Sequence, residues 1–168
     1  VGMSVAKGFA FALDIPIVGV GTLEAAARSV AAWGLPIRAF VPAGRGRSVS
    51  LDFRQLGGQL QPVGEIANRR TTELAADLAT PTVLIGDVTM TDVALLGDAP
   101  NVILPPAGLR RRRASFMIDL ALDRWRSGDW DDLAELEPLY IHQPQVTTGA
   151  EGTATTPTLK HRDRVTNN

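Results

Sequence analysis

The chain has 168 residues, a mass of 17.9 kDa and 45% apolar composition, enough for about one domain with a real core, which excludes disorder throughout. Seventeen basic against eighteen acidic residues leave a net charge of -1, so any nucleic-acid contact has to be local rather than a property of the whole surface. The lack of cysteine excludes disulfides, thiolate zinc sites, iron-sulfur clusters and thiol nucleophiles, and fits a reducing cytoplasm.

The apolar runs at residues 8–13 and 15–23 are separated by Asp14 and fall far short of the ~20 residues that span a bilayer, so no membrane helix is expected. Residues 1–13 carry Lys7 in their middle and no small-residue cleavage site, which does not describe a secretory signal. Their first residues already read as helix, with no strand or cap before them, and the chain opens on Val1. The expectation is the later part of something longer.

In that first helix Met3, Ala6, Ala10 and Leu13 are apolar or small, and Val5, Phe9 and Ala12 form an adjoining stripe, so most of the circumference is apolar. Such a helix is buried or awaits a partner. Residues 16–20 are a short β-branched run expected as a strand. Gly21 and Thr22 form a turn, and residues 23–33 an Ala-rich helix with Glu24 in its first turn and Gly34 after its end. Residues 37–41 and 48–53 read as two strands around the loop Pro42-Ala43-Gly44-Arg45-Gly46, a hairpin that ends at Gly57-Gly58. Thr71 or Thr72 caps a helix expected through Glu73 to Leu78, which Pro81 stops. Residues 82–85 are an apolar strand ending on Gly86-Asp87, Thr91 opens a short helix, and residues 101–104 are another strand. Ala114, Met117, Ile118, Ala121, Leu122 and Trp125 then recur at the spacing of an amphipathic helix, the clearest periodic signal in the chain. Strands alternating with helices imply an α/β domain with a largely parallel or mixed sheet covered on both sides. From Gln145 onward the chain is threonine-rich with few apolar side chains, and a disordered tail is expected there.

The chemistry in these residues is sparse. Ser4-Val5-Ala6-Lys7 fits the S-x-x-K pattern of serine acyl transfer, but neither S-D-N nor K-T-G accompanies it, so a surface turn of an apolar helix is the better reading. Gly19-Val20-Gly21 sits between an expected strand and a helix, where a phosphate could rest. The third glycine of a dinucleotide fingerprint is replaced by Glu24, whose charge competes with an anion, and an ordinary tight turn is favoured. Asp87 lies at the carboxyl end of the apolar strand, the edge where α/β sheets place ligands, and is the candidate ligand-edge residue; capping of the next turn is the simpler role. Arg110, Arg111, Arg112 and Arg113 form a run of cations at the expected start of the last helix, where the helix dipole disfavours them. RNA phosphates or an acidic partner would supply a reason, and a solvated arginine face is the alternative. His142 and His161 have no metal-ligand spacing, so no metal and no cofactor is expected.

Three stretches together resemble a family. Val1-Gly2-Met3-Ser4-Val5-Ala6-Lys7-Gly8-Phe9-Ala10, Ile15-Pro16-Ile17-Val18-Gly19-Val20 and Thr22-Leu23-Glu24-Ala25-Ala26-Ala27 look like the R-[IV]-G-x-x-x-A-K-G-L-A … I-P-[LI]-[VI]-G-V-x-[ST]-L-E-A-L-A segment of the TsaB family, also called YeaZ. Leu84-Ile85-Gly86-Asp87 resembles its late strand, and Trp130-Asp131-Asp132 followed by Leu136-Glu137-Pro138-Leu139-Tyr140-Ile141 resembles its closing signature, so the likeness runs from residue 1 to about 144. The G-P-G-S-F-T-G-L-R segment of the family is not found, and its D-A-R-R-x-E-V-Y hairpin stands here as Pro42-Ala43-Gly44-Arg45-Gly46-Arg47-Ser48-Val49, without the acidic residues.

The resemblance implies an actin-like ATPase (ribonuclease H-like) fold, with a mixed sheet flanked by helices that corresponds mostly to the second subdomain, the first being largely missing. Residues 1–14 would be a helix of the first subdomain, 15–144 the second subdomain and 145–168 the tail. It implies a non-catalytic scaffold subunit in the formation of N6-threonylcarbamoyladenosine at position 37 of tRNA. The catalytic homologue TsaD and a TsaE-like ATPase would be its partners, and the chain alone would form a homodimer. Its contact face would comprise Met3, Ala6, Phe9, Ala10 and Leu13. The rival readings are an M22-type glycoprotease-like peptidase and an independent nucleotide-binding enzyme of the same fold.

Overall fold

A computed structural model describes residues 2–139. The expected tail at 145–168, both histidines and the end of the Leu136-to-Ile141 signature lie outside the described residues.

Helix α1 spans Gly2–Leu13, as its composition predicts. It ends in a Schellman motif: the Ile15 N–H donates to the Ala10 carbonyl at 3.1 Å and the Asp14 N–H to that of Phe11 at 3.4 Å, with Asp14 left-handed at φ 49°. The strand expected at residues 16–20 is not a member of the sheet. It is an extended segment that meets the rest of the chain in one antiparallel bridge, Ile17 with Asp131. β-branched composition favours extended backbone, but a strand needs a neighbour with a free edge, and among the described residues none runs beside it. Helix α2 covers only Thr22–Arg28. The helix expected through Trp33 breaks at Ser29 and Val30 and resumes as a 3-10 turn, Ala31–Trp33, closed by left-handed Gly34.

Strands β1 (Ile37–Gly44) and β2 (Arg47–Leu56) are longer than expected, because most of the glycine-rich loop is strand and the turn is only Arg45-Gly46, both at positive φ. Gly57-Gly58 does not end the meander. Both residues take positive φ and turn the chain into β3 (Gln59–Arg70), a strand absent from the sequence reading. Its residues are mostly exposed and polar, and left-handed Gly64 interrupts it, so it lacks the apolar alternation by which strands are recognised. The helix expected at 71–78 is a single 3-10 turn, Thr71–Glu73, followed by further turns. Strand β4 (Thr82–Gly86), helix α3 (Met90–Gly97), the short strand β5 (Val102–Ile103) and helix α4 (Ala114–Arg126) follow. Thr89 caps α3 reciprocally with Asp92.

The five strands form one mixed sheet in the order β3-β2-β1-β4-β5. The β1-β2 and β2-β3 pairs are antiparallel, whereas β1-β4 and β4-β5 are parallel. Period-two alternation sends Ile37, Ala39, Val49, Leu51, Phe53, Val83 and Ile85 to one face, where Leu23, Ala26 and Ala27 of α2 cover them. Phe40 and Leu84 point to the other face, under Leu74 and Leu96 of α3. Both faces are therefore buried at the centre of the sheet, which is the α/β architecture expected. At Gly86 strands β1 and β4 leave no room for a side chain, since a Cβ there would collide with the Phe40 carbonyl oxygen.

Candidate functional site

Three places hold the residues that sequence singled out. The first is α1. Val5, Phe9 and Leu13, at i, i+4 and i+8, are each more than half exposed, and Phe11 on another side is 81% exposed. Ala6 is also exposed, Met3 is half-buried, and Ala10 is buried against the body. Lys7 ties the helix to the 134–136 segment, its Nζ donating to the carbonyls of Ala134 at 3.3 Å and Leu136 at 3.1 Å. The stripe on α4 is only partly covered. Its Ala121 and Leu122 are half-buried, as are Phe116, Leu120 and Arg124, while Met117, Ile118 and Trp125 are about half exposed.

The second place is the carboxyl edge of β4, where two candidates separated by more than twenty residues meet. Asp87 Oδ2 pairs with Arg112 Nη2 at 2.8 Å. The arginine run does not begin α4; it occupies the turn before it, and Arg113 is the residue preceding the first helical one. Arg113 Nη2 donates to the Gly108 carbonyl at 2.7 Å, which folds the turn back on itself. The run lines a shallow depression with Ala25, Ser29, Ile85 and Phe116, and the Arg110 Nε is buried there without a hydrogen-bond partner.

The third place is the extended Gly19-Val20-Gly21 segment, and it is already occupied by the chain itself. The Gly19 N–H donates to Asp131 Oδ2 at 2.6 Å, and Arg124 Nη1 donates to the Gly19 carbonyl at 2.8 Å. Arg124 also pairs with Asp131 through Nη2 at 3.0 Å and with Asp129 through Nε at 2.8 Å. Burial pushes the Asp131 carboxyl up, but the Arg124 guanidinium and the Gly19 amide outweigh it and hold the group below the usual carboxylate range. A Cβ on Gly19 would sit 2.8 Å from the end of the Leu136 side chain, which would have to shift to admit it. The segment is extended backbone rather than the tight turn expected, and the Gly19 amide that a phosphate would use is taken by the Asp131 carboxylate. Sequence reasoning quoted Asp131 within a family signature but gave neither it nor Arg124 a role.

A fourth group was missed altogether. Arg38, 4% exposed on β1, donates to both oxygens of Asp52 at 2.7 and 2.8 Å, to the Leu74 carbonyl at 2.8 Å and to Asp77 at 2.5 Å, and Asp77 also accepts from Arg69. With its donors spent in this way, the guanidinium is a structural tie between the sheet and the 71–78 turns. Among the described residues no three His, Cys, Asp or Glu side chains are placed to hold a metal ion, and no helix is long and apolar enough to cross a membrane.

A family model described as TsaD, tRNA N6-adenosine threonylcarbamoyltransferase, matches residues 1–103, more than half of the chain. The chain belongs to the TsaD family. Two solved structures resemble this TsaD-family chain with a TM-score of 0.65. One is described as an uncharacterized protein with similarity to peptidase YEAZ from Pseudomonas aeruginosa, 18% identical over 84% of this chain. The other is YeaZ from Pseudomonas aeruginosa, 20% identical over 83%. At these identities the likeness establishes the fold, which is the actin-like type expected. The TsaD-family chain spans 66% and 65% of the lengths of those two proteins. A comparison with curated proteins gave no match.

Proposed function

We propose that this chain is a non-catalytic scaffold subunit in the cytoplasmic formation of N6-threonylcarbamoyladenosine at position 37 of tRNA. Its role is to bind and support a catalytic homologue of its own family, TsaD, together with a TsaE-like ATPase. Membership of a tRNA-modifying family supports the process, and the outward apolar face of α1 supports a role in protein recognition. Val5, Phe9 and Leu13 present one stripe of large side chains at helical spacing, which costs solubility unless a partner covers it. In the absence of TsaD the same stripe pairs with a second copy.

Phe9→Asp tests this directly. Phe9 is 63% exposed, so about 130 Å² of mostly apolar surface is available to a partner, worth roughly 3 kcal/mol and therefore about a 100-fold change in affinity. Size-exclusion light scattering of the chain mixed with TsaD is expected to show a one-to-one complex that Phe9→Asp dissolves. A persistent monomer in the mixture, or a complex indifferent to Phe9→Asp, overturns the proposal. Because Phe9 points outward, the substitution is expected to leave the melting temperature unchanged, which separates lost recognition from lost folding.

A further inference from the structure

We infer that the turn carrying Arg110, Arg111, Arg112 and Arg113 is a docking point for an RNA backbone, and that Asp87 is the intramolecular stand-in that an incoming phosphate displaces. The inference rests on the tRNA-modification reading for the kind of polyanion, while the site itself rests on geometry.

The whole chain is nearly neutral, yet four guanidiniums fall in four consecutive residues. Among the described residues the only carboxylate paired with them is Asp87, through Arg112. Three positive charges at this edge are left without a paired carboxylate. Arg111 and Arg113 are exposed, and Arg112 remains 57% exposed even in its ion pair. An exposed pair of this kind contributes little, about 0–1 kcal/mol, so exchanging the carboxylate for a phosphate oxygen is cheap. Guanidinium forks match phosphate geometry in two parallel hydrogen bonds. The turn is also held in shape before any ligand arrives: Arg113 closes it on Gly108, and the Arg110 stem is set into the wall formed by α2 and β4. Arg110 contributes one further observation, since its buried Nε has no acceptor and is therefore under-satisfied until an oxygen approaches the depression. Finally, the cluster lies beside the carboxyl end of a parallel strand, the edge at which α/β sheets take their ligands.

An RNA is favoured over an acidic protein because a row of cations gains most from a polyanion whose condensed counterions it releases. That mechanism also supplies the readout. Affinity for an unmodified tRNA transcript is measured by fluorescence anisotropy across a salt series, with poly-glutamate as the acidic-polypeptide probe. Each phosphate contact contributes about 0.7 to 0.9 to the slope of log affinity against log salt. The combined variant Arg111→Gln, Arg112→Gln, Arg113→Gln is expected to weaken tRNA binding at least ~10-fold and to flatten that slope by about 2. Asp87→Asn, which frees Arg112, is expected to act in the opposite direction and tighten binding a few-fold.

A tRNA affinity and slope unchanged in the triple variant overturn the inference, as does weaker binding in Asp87→Asn. Loss of poly-glutamate binding with tRNA binding unaffected assigns the cluster to an acidic protein and likewise overturns it. Circular dichroism melts of each variant show whether the fold is retained. The outcome is independent of the scaffold proposal: a chain that ignores TsaD but binds tRNA through these arginines removes only the scaffold reading, and a TsaD complex whose tRNA affinity disregards them removes only this one.

Discussion

Arg38→Met removes the one charged side chain that the sheet buries almost completely while nearly conserving its volume, so it isolates the hydrogen bonds from the packing. Three acceptors lose their donor. The Leu74 carbonyl belongs to a fully buried residue and becomes unpaired in the interior, at a cost of about 1–2 kcal/mol. Asp52 and Asp77 are 42% and 56% exposed, so water replaces much of what they lose and each contributes only about 0.5 kcal/mol. The expected loss is therefore about 2–3 kcal/mol, seen as a fall of roughly 6–9 °C in the calorimetric melting temperature or a matching shift of the urea midpoint. Arg38→Lys, which keeps the charge and loses the fork, should fall between.

The same cluster predicts a pH signature. The Arg38 guanidinium, aided by Arg69 and opposed by burial, lowers the Asp77 carboxyl from 3.8 to about 2. A carboxyl depressed in the folded state contributes stability above its unfolded value, and that contribution disappears as pH falls from about 4 towards 2. Since Asp77 is more than half exposed, the contribution amounts to about 1 kcal/mol or less. Arg38→Met should flatten this acid limb. A variant that loses less than about 0.5 kcal/mol, or whose acid limb matches the wild type, would falsify the view that this guanidinium ties the sheet to the 71–78 turns.

Gly86→Ala should cost about 3 kcal/mol or prevent folding, because the new methyl meets the Phe40 carbonyl of the adjoining strand and backbone in a sheet centre cannot yield; near-normal urea melts would disprove the close approach. Gly8→Ala makes the reverse case: nothing surrounds its Cβ, and removing a helical glycine should add about 0.5–1 kcal/mol in the same melts. Burial raises the Glu24 carboxyl above its ordinary value despite Arg124 and Arg28 nearby. Its ionised form is then disfavoured by folding, stability is lost as pH rises through the raised value, and Glu24→Gln should melt at the same or a higher temperature at pH 7. A lower melting temperature there would show that the two arginines outweigh burial.

Where an element carries a clear apolar run, a helical period or a marked end, the sequence was enough. Apolar composition located β4, helical periodicity placed α1 and α4, and the Gly34 stop lies where a left-handed residue is found. Strand β3 was illegible because it is an exposed edge whose polar residues carry no alternation, and pairing with β2 alone keeps it extended. Residues 16–20 failed in the opposite sense: the propensity was there and the neighbouring strand was not. The periodicity of α4 placed the helix but not the depth of its stripe: Ala121 and Leu122 are half-buried, as Phe116, Leu120 and Arg124 are, while Met117, Ile118 and Trp125 stay exposed. Asp87 and the arginine run were each visible as candidates, but their meeting was not, because it depends on how the turn before α4 passes the end of β4. Arg38 and Asp77 were invisible for the same reason, being 39 positions apart.

The Lys7 tether, the Ile17–Asp131 bridge and the Arg124–Asp131–Gly19 latch all join the first twenty residues to positions beyond 120. These are the contacts of highest sequence separation in the described chain, so they pay the largest loop-closure entropy and should form last during folding. They are also held by polar links with little buried apolar area behind them. At the centre of the sheet β1 and β4 are buried on both faces, whereas α1 and the 129–136 segment contribute no residue to either core cluster. Native-state hydrogen exchange should therefore report two cooperative units, with the clasp opening at a lower free energy than the sheet. Opening of α1 is therefore expected to leave the exchange protection of β1 and β4 intact.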